Sequence, residues 1–344
     1  MNKKKVLLGM SGGVDSSVAA ILLKEKGYDV IGITMNLWEG ECSDAKSVCD
    51  MLDIPHYVID FKKEFQEIVV NNFVKCYSEC KTPNPCIECN RYLKFGKMCE
   101  KAEELGANYI ATGHYAKIEY SDKYKKYVLR KSNSVYKDQT YVLYNISKEI
   151  MDKILFPLGD FENKEDIRKK AYEYNLNVAA KKDSQEICFI PDNNYIRFLE
   201  NNNVKLESGD IVNTKGEILG KHKGLHRYTI GQRKGMGISS DDKIYVISLD
   251  SVNNTLVVGN ESELYSNILF CEDINLLLID EIKEPTKVNA KIRYLAKESQ
   301  ATIYPIENGK MRVEFDSLQR AITAGQSIVF YTDEGIVMGG GKII

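Results

Sequence analysis

Short apolar runs alternate with amphipathic stretches in the first half of the chain. Four runs have the length and composition of buried strands, at residues 5–9, 29–35, 56–61 and 108–113. Helices are predicted between them, notably over 16–26 and 90–105, which end near Gly27 and Gly106. Strands that alternate with helices indicate a parallel sheet covered on both faces, and such sheets bind ligands at the carboxyl ends of their strands.

The pattern changes near residue 200, where turn residues begin to separate shorter strands, predicted at 211–213, 217–219, 244–249 and 255–258. From about residue 265 the pattern is all-β, which is typical of a small barrel, with strands predicted at 287–294, 300–304, 311–315, 327–331 and 335–338. We therefore predict an α/β protein with a parallel-sheet catalytic domain, a small central domain and a C-terminal β-barrel, at residues 1–197, 198–262 and 263–344.

Composition and charge narrow the classes of function. The chain has 344 residues, of which 43% are hydrophobic and 28% charged, as in soluble globular proteins of several domains. The net charge is −2, so a nucleic-acid surface would have to be a local patch. The apolar runs are too short for a membrane span or a signal peptide, and we expect a cytoplasmic protein without a membrane segment. Nine cysteines, an odd number, favour thiols, metal ligands or catalytic groups over a disulfide scaffold.

A glycine-rich turn, S-G-G-V-D-S-S, joins the first predicted strand to the first helix. Gly12 and Gly13 allow backbone N–H groups to approach an anion, and the helix N-terminus adds partial positive charge. Asp15 is a candidate Mg²⁺ ligand beside the phosphates, and the chain lacks the G-K-[ST] of a Walker A loop. An ordinary capped turn is the alternative, although it would not require both glycines. The string resembles the PP-loop of the ATP pyrophosphatases (the adenine nucleotide α-hydrolase-like fold), which implies transfer of AMP from ATP to an oxygen atom.

Three cysteines are candidates for chemistry. Cys86 and Cys89 lie three residues apart in T-P-N-P-C-I-E-C-N at 82–90, and Cys188 lies in D-S-Q-E-I-C-F-I at 183–190. The residues alone leave a redox pair, a nucleophile or half of a metal site open. A zinc site would add Cys76 and Cys80, although the central gap of C-x3-C-x5-C-x2-C is short. Cys188, among apolar neighbours, is also compatible with a small core residue.

Ordered strings over nearly the whole chain resemble the tRNA-specific 2-thiouridylases, the MnmA family. They are S-G-G-V-D-S-S, T-P-N-P-x-x-x-C-N, A-T-G-H-Y, K-D-Q-T-Y, L-F-P-L-G, I-C-F-I, T-I-G-Q-R-K-G-M-G-I and A-G-Q-S-I-V-F-Y. The resemblance implies ATP-dependent 2-thiolation of the wobble uridine, position 34 of tRNA, through a flipped-out base and adenylation of its C2 oxygen. It also implies tRNA substrates of the Lys, Glu and Gln type, and a sulfur-relay protein or cysteine desulfurase as sulfur donor.

The family pattern also implies roles for individual residues. Cys188 would carry a persulfide, and Cys89 would be the nucleophile that releases sulfur to the base, leaving a Cys89–Cys188 disulfide. The implied ATP contacts are Gly9, Met10, Ser11, Gly12, Gly13, Val14, Asp15, Ser16, Met35 and Gly113. The implied contacts with the target base and the rest of the tRNA are Asn84, Pro85, Cys86, His114, Lys137, Asp138, Gln139, Arg293, Tyr294 and Gln326.

One position departs from the family pattern. Cys86 stands where the family commonly has Asp, so an acid–base group is replaced by a thiol. Together with Cys89 and Cys188 it offers three thiolates, the number that holds a [4Fe–4S] cluster with one open iron, as in related tRNA-thiolating enzymes. The persulfide route and the cluster route both stay open at this stage.

Two segments are locally basic, 123–137 and 221–234, and the first is interleaved with tyrosines. Such patches suit contacts with RNA phosphates and bases, although most charge runs are simply solvated surface. Two other classes of function are alternatives. A PP-loop synthetase of small molecules would not need Cys89 and Cys188, and a non-catalytic RNA-binding module would not need the glycine-rich turn.

Overall fold

The computed structural model describes residues 3–38, 43–181, 187–202, 204, 207–238 and 242–344. Its N-terminal part contains a parallel sheet with the strand order β3-β2-β1-β4-β7. The strands are β1 Lys5–Gly9, β2 Asp29–Asn36, β3 His56–Asp60, β4 Tyr109–Ala111 and β7 Ile154–Leu155. The prediction of a parallel sheet is confirmed. Because β1 pairs with β2 on one side and β4 on the other, the glycine-rich turn that follows β1 lies at the topological switch point.

Helices cover both faces of this sheet and bury its apolar side chains. One face packs on α1 and α8 around Val18, Ile21 and Ile167, while the other packs on α6 and the end of the helix before it. The α-helices are α1 Val14–Glu25, α2 Ser43–Met51, α3 Lys62–Phe65, α4 Asn71–Ser78, α5 Pro85–Glu88, α6 Met98–Glu104, α7 Thr140–Leu143, α8 Lys164–Glu173 and α9 Tyr195–Asn201. Short 3-10 helices lie at Lys148–Lys153, Leu225–Arg227, Glu261–Leu264 and Glu307–Gly309. Within the ranges given above, no helix has the length and hydrophobicity that a membrane crossing requires.

A continuous helical run carries both cysteines of the T-P-N-P-C-I-E-C-N string. It consists of α5, a π-helix at Cys89–Lys97 and then α6. Asn84 caps it by accepting a hydrogen bond from the N–H of Cys86 at 3.2 Å, and Pro85 occupies the first turn. The prediction that this helix begins at Asn90 is wrong, because a proline in a first turn is compatible with a helix and does not mark a loop.

A second helical run packs against the first one. It contains α3, a π-helix at Gln66–Val70 and α4, and it contributes Phe65 and Phe73 to a core that also holds Cys89 and Leu93. Helices with π geometry often occur at functional sites because the extra residue per turn redirects side chains. Two such segments face each other here, next to the thiol predicted to be the nucleophile.

Two smaller sheets follow. The hairpin of β5 Lys117–Ser121 and β6 Lys126–Arg130, which the sequence pattern did not predict, lies partly within the basic segment 123–137. The central part of the chain forms a four-stranded sheet with the order β10-β11-β8-β9. Its strands are β8 Gly209–Asn213, β9 Ile218–His222, β10 Tyr245–Asp250 and β11 Thr255–Gly259.

The C-terminal part is a closed antiparallel barrel, as predicted, with the order β12-β15-β14-β13-β16-β17. Its strands are β12 Tyr265–Leu276, β13 Thr286–Lys291, β14 Ser299–Pro305, β15 Met311–Arg320, β16 Ser327–Tyr331 and β17 Val337–Ile343. The sequence pattern missed β12, because register shifts at Ser266/Ile268 and Glu272/Asn275 interrupt the alternation of apolar and polar residues.

The barrel and the parallel sheet share a hydrophobic core. Val329, Tyr331 and Val337 of the barrel are buried in the same cluster as Leu7 of β1 and Met98 of α6. This shared core fixes the barrel against the helical run that carries the cysteines.

Polar contacts from the barrel also hold the segment just before Cys86. The N–H of Thr82 donates to the carbonyl of Ala324 at 2.9 Å, and the Gln326 amide donates to the carbonyl of Thr82 at 2.7 Å. Glu88, which is 7% exposed, forms an ion pair with Lys342 of β17 at 3.0 Å. The cysteine-bearing segment is therefore anchored to the barrel at two points.

We expect Lys342→Met to lower the free energy of unfolding by about 3 kcal/mol, because it leaves the buried Glu88 carboxylate without its cation. Urea unfolding followed by the fluorescence of Trp38 measures this, since the single tryptophan packs 6.2 Å from Phe189 in the core around Cys89. The control is Lys310→Met, which removes an exposed pair with Glu272 at 3.4 Å and should cost less than about 0.5 kcal/mol. Equal effects of the two substitutions would contradict the anchoring role of Lys342.

Candidate active site

The glycine-rich turn is a compact group of hydroxyls at the carboxyl end of β1. The Ser16 hydroxyl donates to the carbonyl of Gly13 at 3.1 Å and accepts from the N–H of Ser11 at 3.2 Å. Gly12 has φ of +70°, and a Cβ there would lie 2.9 Å from the Cβ of Asp44 in α2. Only glycine therefore suits this position without a shift of the neighbouring helix.

The other predicted nucleotide residues gather around this turn. A Cβ on Gly113, just after β4, would lie 2.8 Å from the backbone N of Ser16, so glycine is what allows β4 to approach α1. Met35 is partly buried near the end of β2. Met10 and Val14 have buried side chains, which leaves only their backbones to face a ligand. The predicted ATP contacts, which include Gly9, thus converge at one edge of the sheet.

The Asp15 carboxylate is already hydrogen-bonded and ion-paired within the protein. Both of its carboxylate oxygens accept hydrogen bonds from the Lys164 ammonium at 2.6 Å, and one also accepts from the Tyr115 hydroxyl at 2.7 Å. A magnesium ion at Asp15 would therefore require the loss of the Lys164 ion pair. The structure links Lys164, which the sequence analysis did not single out, to the nucleotide turn.

The three cysteines predicted to carry the chemistry come together, although their exposure differs. Cys86 and Cys188 are exposed, whereas Cys89 is buried in the core formed by the two helical runs. The first four residues of the D-S-Q-E-I-C-F-I string lie outside the described residues, and Cys188 itself is described. We expected Cys89 at a helix start, but the structure places it after the first turn, where Cys86 lies instead.

Burial dominates the electrostatics of these thiols. It is the largest cause that raises the pKa of Cys89 to about 12, and the nearby Cys188 and Cys86 contribute to the same rise. Cys188 reaches solvent, yet the dense protein around it and the proximity of Cys86 raise its pKa as well. Cys89 packs in one core with Phe189 and Ile190, which follow Cys188, and Cys86 lies one helical turn before Cys89, so the three thiols are neighbours. Ionising one of them therefore opposes ionising the next.

Lys94 counteracts this effect. Its ammonium lowers the pKa of both Cys89 and Cys188. Lys94 lies five residues after Cys89 in the π-helix, whose i→i+5 pairing brings these positions to successive turns. The side chain is partly buried, and no hydrogen bond or ion pair from it is found in the described part of the chain. The sequence pattern gave no indication of a role for Lys94 apart from its spacing of five residues from Cys89.

His114 lies on the same side of the site. Its Nδ1 is 2.7 Å from the Thr112 hydroxyl, and its ring packs between the rings of Phe95 and Phe156. Burial, with the Lys94 ammonium as the second cause, lowers the pKa of His114 well below its usual value. His114 is therefore a neutral imidazole at neutral pH.

The structure does not assemble the metal sites considered from sequence. Among the residues that it describes, no group of three or more His, Cys, Asp or Glu side chains is arranged to hold a metal ion. This applies to the zinc set, Cys76, Cys80, Cys86 and Cys89, and to the iron–sulfur set, Cys86, Cys89 and Cys188. The donor sets therefore do not fit zinc or a [4Fe–4S] cluster in this conformation.

The residues predicted to contact tRNA form two groups. Lys137, Asp138 and Gln139 lie on a loop whose Gln139 exchanges hydrogen bonds with the backbone of Tyr115 at 2.9 Å. Arg293 and Tyr294 lie after β13, and the Tyr294 ring is 6.2 Å from that of Tyr141. Burial raises the pKa of Tyr294, and the nearby Asp138 carboxylate and Cys86 raise it as well, so these loops border the thiol site.

Gln326, Asn84 and Pro85, which are also predicted to contact tRNA, make contacts within the protein. The Gln326 amide donates to Thr82, and the Asn84 side chain accepts from Cys86 while Pro85 is buried in the first helical turn. These contacts position the cysteine segment, and the contact of these three residues with tRNA stays a prediction.

The basic segments are partly neutralised in three dimensions. In 123–137 the cations pair with acids from elsewhere: Lys123 with Glu334, Arg130 with Glu119 and Lys131 with Glu298. In 221–234, Lys221 pairs with Asp210 and Arg227 with Glu200. The basicity of these segments along the chain thus overstates the positive charge that the folded surface presents.

Family models match three consecutive stretches of the chain. They are the tRNA methyl transferase HUP domain at residues 4–192, the tRNA methyl transferase PRC-barrel domain at 196–260 and the aminomethyltransferase beta-barrel domain at 266–343. Among solved structures, a predicted subunit of a tRNA methyltransferase from Methanocaldococcus jannaschii aligns with 49% of this chain and 76% of its own at 19% identity, with a TM-score of 0.32.

Relatives match the chain from end to end. The tRNA-specific 2-thiouridylase MnmA of Acetivibrio thermocellus is 53% identical, with 100% of both chains covered. The proteins of the same name from Caldicellulosiruptor saccharolyticus and Clostridioides difficile are each 49% identical, with 99% of this chain and 98% of theirs covered. At such identity over its full length, and with the fold and the grouped cysteines described above, the chain belongs to the MnmA family of tRNA-specific 2-thiouridylases.

Proposed function

We propose that the protein is an ATP-dependent tRNA 2-thiouridylase, which replaces the C2 oxygen of the wobble uridine, position 34, with sulfur. The observation that carries the proposal is that Cys89 packs in one core with Phe189 and Ile190, which follow Cys188, while Cys86 lies one helical turn before Cys89. The chain that holds these three thiols matches thiouridylases over its whole length. The tRNAs of the Lys, Glu and Gln type are its proposed substrates. The proposed units are residues 1–197 for catalysis and ATP binding, residues 198–262 as a small central domain that contacts tRNA, and residues 263–344 as a C-terminal β-barrel.

The first step activates the base. The C2 oxygen of uridine attacks the α-phosphorus of ATP, pyrophosphate leaves, and the oxygen becomes part of an AMP leaving group. The backbone of the glycine-rich turn and the N-terminus of α1 face the phosphates at the switch point of the sheet, where partial positive charge stabilises them. Gly113 keeps the loop after β4 against this turn.

The second step transfers sulfur. The terminal sulfur of a Cys188 persulfide attacks C2 of the activated base, and AMP leaves with the electron pair of the C2–O bond. The Cys89 thiolate then attacks the Cys188 sulfur, so the S–S bond to the base breaks and its electrons stay on the new 2-thio group. A Cys89–Cys188 disulfide remains, which external thiols reduce with two electrons. A sulfur-relay protein or cysteine desulfurase renews the persulfide.

The exposure of the two cysteines suits these roles. Cys188 is exposed, as a thiol that accepts sulfur from another protein must be. Cys89 is buried and its pKa is raised, so it is protonated until its electrostatic surroundings change. We infer that Lys94 supports thiolate formation at both positions, because its cation favours the charged form of each thiol. At Cys188, backbone N–H groups of Cys188 and Phe189 favour the thiolate as well.

No step of this scheme requires the Cys86 thiol. It is exposed in the first helical turn, near Tyr294 and Cys188. The described residues do not arrange it with Cys89 and Cys188 as cluster ligands, so no step is derived through iron. Its thiol takes the place of a carboxylate in the family pattern, and an Asp at this position should serve equally well.

We expect Cys89→Ser and Cys188→Ser each to lower 2-thiouridine formation at least about 100-fold, because each removes a sulfur atom whose bond is made or broken. Mass spectrometry of digested tRNA measures the product, while tRNA-dependent release of pyrophosphate in one turnover should persist. Cys99→Ser is the matched control, since Cys99 and Cys89 are both 8% exposed. Thiolation retained in Cys89→Ser would contradict the assigned roles. ATP consumption without any need for tRNA would favour a small-molecule synthetase.

Iron dependence is tested by purifying the protein without oxygen and measuring iron, acid-labile sulfide and thiolation. We expect the iron-free protein to be fully active, and Cys86→Asp to retain activity within a few-fold, because the persulfide route needs only Cys89 and Cys188. Activity confined to iron-loaded protein and abolished by Cys86→Asp would establish the cluster route instead.

We expect Lys94→Met to slow alkylation of Cys188 by iodoacetamide about tenfold below the thiol pKa, because loss of a nearby cation raises a thiol pKa by about one unit or more. Labelling rates from pH 6 to 10, read by peptide mass spectrometry, measure the shift of the profile. Lys94→Arg keeps the charge and should keep the profile. Lys97→Met removes a cation of the same helix that is paired with Glu100 at 2.8 Å, and should change nothing. An unshifted profile in Lys94→Met would refute this role.

A further inference from the structure

Two loops beside the thiol site carry apolar side chains that stand in solvent. Val135 is 86% exposed, Tyr136 94% and Leu295 88%. Single exposed apolar residues are ordinary on protein surfaces, but nearly complete exposure of three on two adjoining loops is not. These three residues are called the apolar tips below.

The loop that carries Tyr136 is held firmly at its base. The N–H of Ser132 donates to the Asp138 carboxylate at 3.0 Å, and the N–H of Asp138 donates to the carbonyl of Ser134 at 3.0 Å. Ser134 is 2% exposed and Thr140 is fully buried, so the backbone on both sides of the tip is anchored in the protein. The fold therefore presents the Tyr136 ring outward from a fixed base.

The second loop is tied to the first. Lys131 forms an ion pair with Glu298 at 2.5 Å, which links the two loop bases. The N–H of Ala296 donates to the carbonyl of Arg293 at 3.1 Å, and this turn places Leu295 at its outer end. The apolar tips thus stand on one common base.

The anchored feet of the two loops border the thiol site on one side and the nucleotide turn on the other. Tyr294, next to Leu295, is close enough to Cys86 for the charge of that thiol to affect its pKa. Gln139, at the end of the first loop, is hydrogen-bonded to Tyr115, whose hydroxyl donates to Asp15 of the turn. A nucleobase of the substrate that reaches both the thiols and ATP would therefore pass beside the apolar tips.

We propose that the apolar tips stack on the unpaired nucleobases next to the uridine that is modified, with the Tyr136 ring as the main stacking surface. The proposal rests on the proposed function. Extruding one base from an anticodon loop exposes the faces of its neighbours, and an aromatic ring can cover such a face. Lys297, exposed beside Leu295, places positive charge near the adjoining phosphates.

The size of the surface favours bases over a protein partner. A stable protein interface needs about 800 Å² from each partner, far more than three side chains supply, whereas a single base covers a single ring. Stacking of one base on an aromatic side chain contributes about 1–3 kcal/mol, which corresponds to roughly 5- to 150-fold in affinity.

The test uses the full-length protein and an anticodon stem-loop RNA with 2-aminopurine beside position 34. We expect Tyr136→Ala to weaken binding at least about fivefold and to abolish quenching of the fluorescent base. Tyr136→Phe should bind within about twofold of the wild type, because the ring is retained. The slope of affinity against salt should be unchanged in Tyr136→Ala, since no phosphate contact is removed.

A matched control separates stacking from general surface effects. Tyr172→Ala removes a ring that is 57% exposed in α8 and should not alter binding. Unchanged affinity and quenching in Tyr136→Ala, with a wild type that binds and thiolates tRNA, would overturn this inference alone. Weakened binding of a cysteine desulfurase, with RNA binding intact, would also overturn it. A wild type that binds no tRNA would overturn the proposed function as well.

Discussion

The position of the cysteine segment depends on the C-terminal barrel. The N–H of Thr82 donates to the backbone carbonyl of Ala324, and the carbonyl of Thr82 accepts from the side-chain amide of Gln326. Gly325, between these two residues, has φ of +88°, and a Cβ there would lie 2.9 Å from the N of Thr82. The backbone of the barrel therefore contacts the backbone of the segment before the catalytic helix. This contact orients the helix that begins after Asn84.

Burial of Cys89 disfavours its thiolate, which is the form that the proposed reaction requires. A thiol at the junction of two helical runs is protected from stray oxidants, but the same surroundings raise its pKa to about 12. The π-helix brings Lys94 into reach of both this thiol and Cys188, and the neutral His114 adds no competing charge. The Lys94 cation, held close to the thiols, thus favours their reactive thiolate forms although Cys89 stays buried.

Several details were predictable and others were not, for identifiable reasons. The turn at Gly12 and the sheet around it follow from local pattern, because a strand, two glycines and a helix are contiguous. The start of the helix at Pro85 was missed, since a proline is read as a loop unless its place in a first turn is known. Lys94 escaped notice because its importance depends on Cys188, almost a hundred residues away. The basic segment 123–137 carries less unpaired positive charge in the fold than its sequence indicates, because cations such as Lys123 pair with acids that are distant in sequence, such as Glu334. Its contact with RNA stays a prediction.

By itself the sequence determined the family, the order of parallel sheet, central sheet and barrel, and which cysteines are candidates for sulfur transfer. These properties reside in contiguous strings and periodic patterns, which need no knowledge of distant contacts. The tertiary structure alone decided that Gln326 braces the segment before Cys86, that Asp15 is paired with Lys164, and which thiol is buried. Each of these depends on side chains that are far apart along the chain, and the energy of such contacts is defined only once the fold has brought them together.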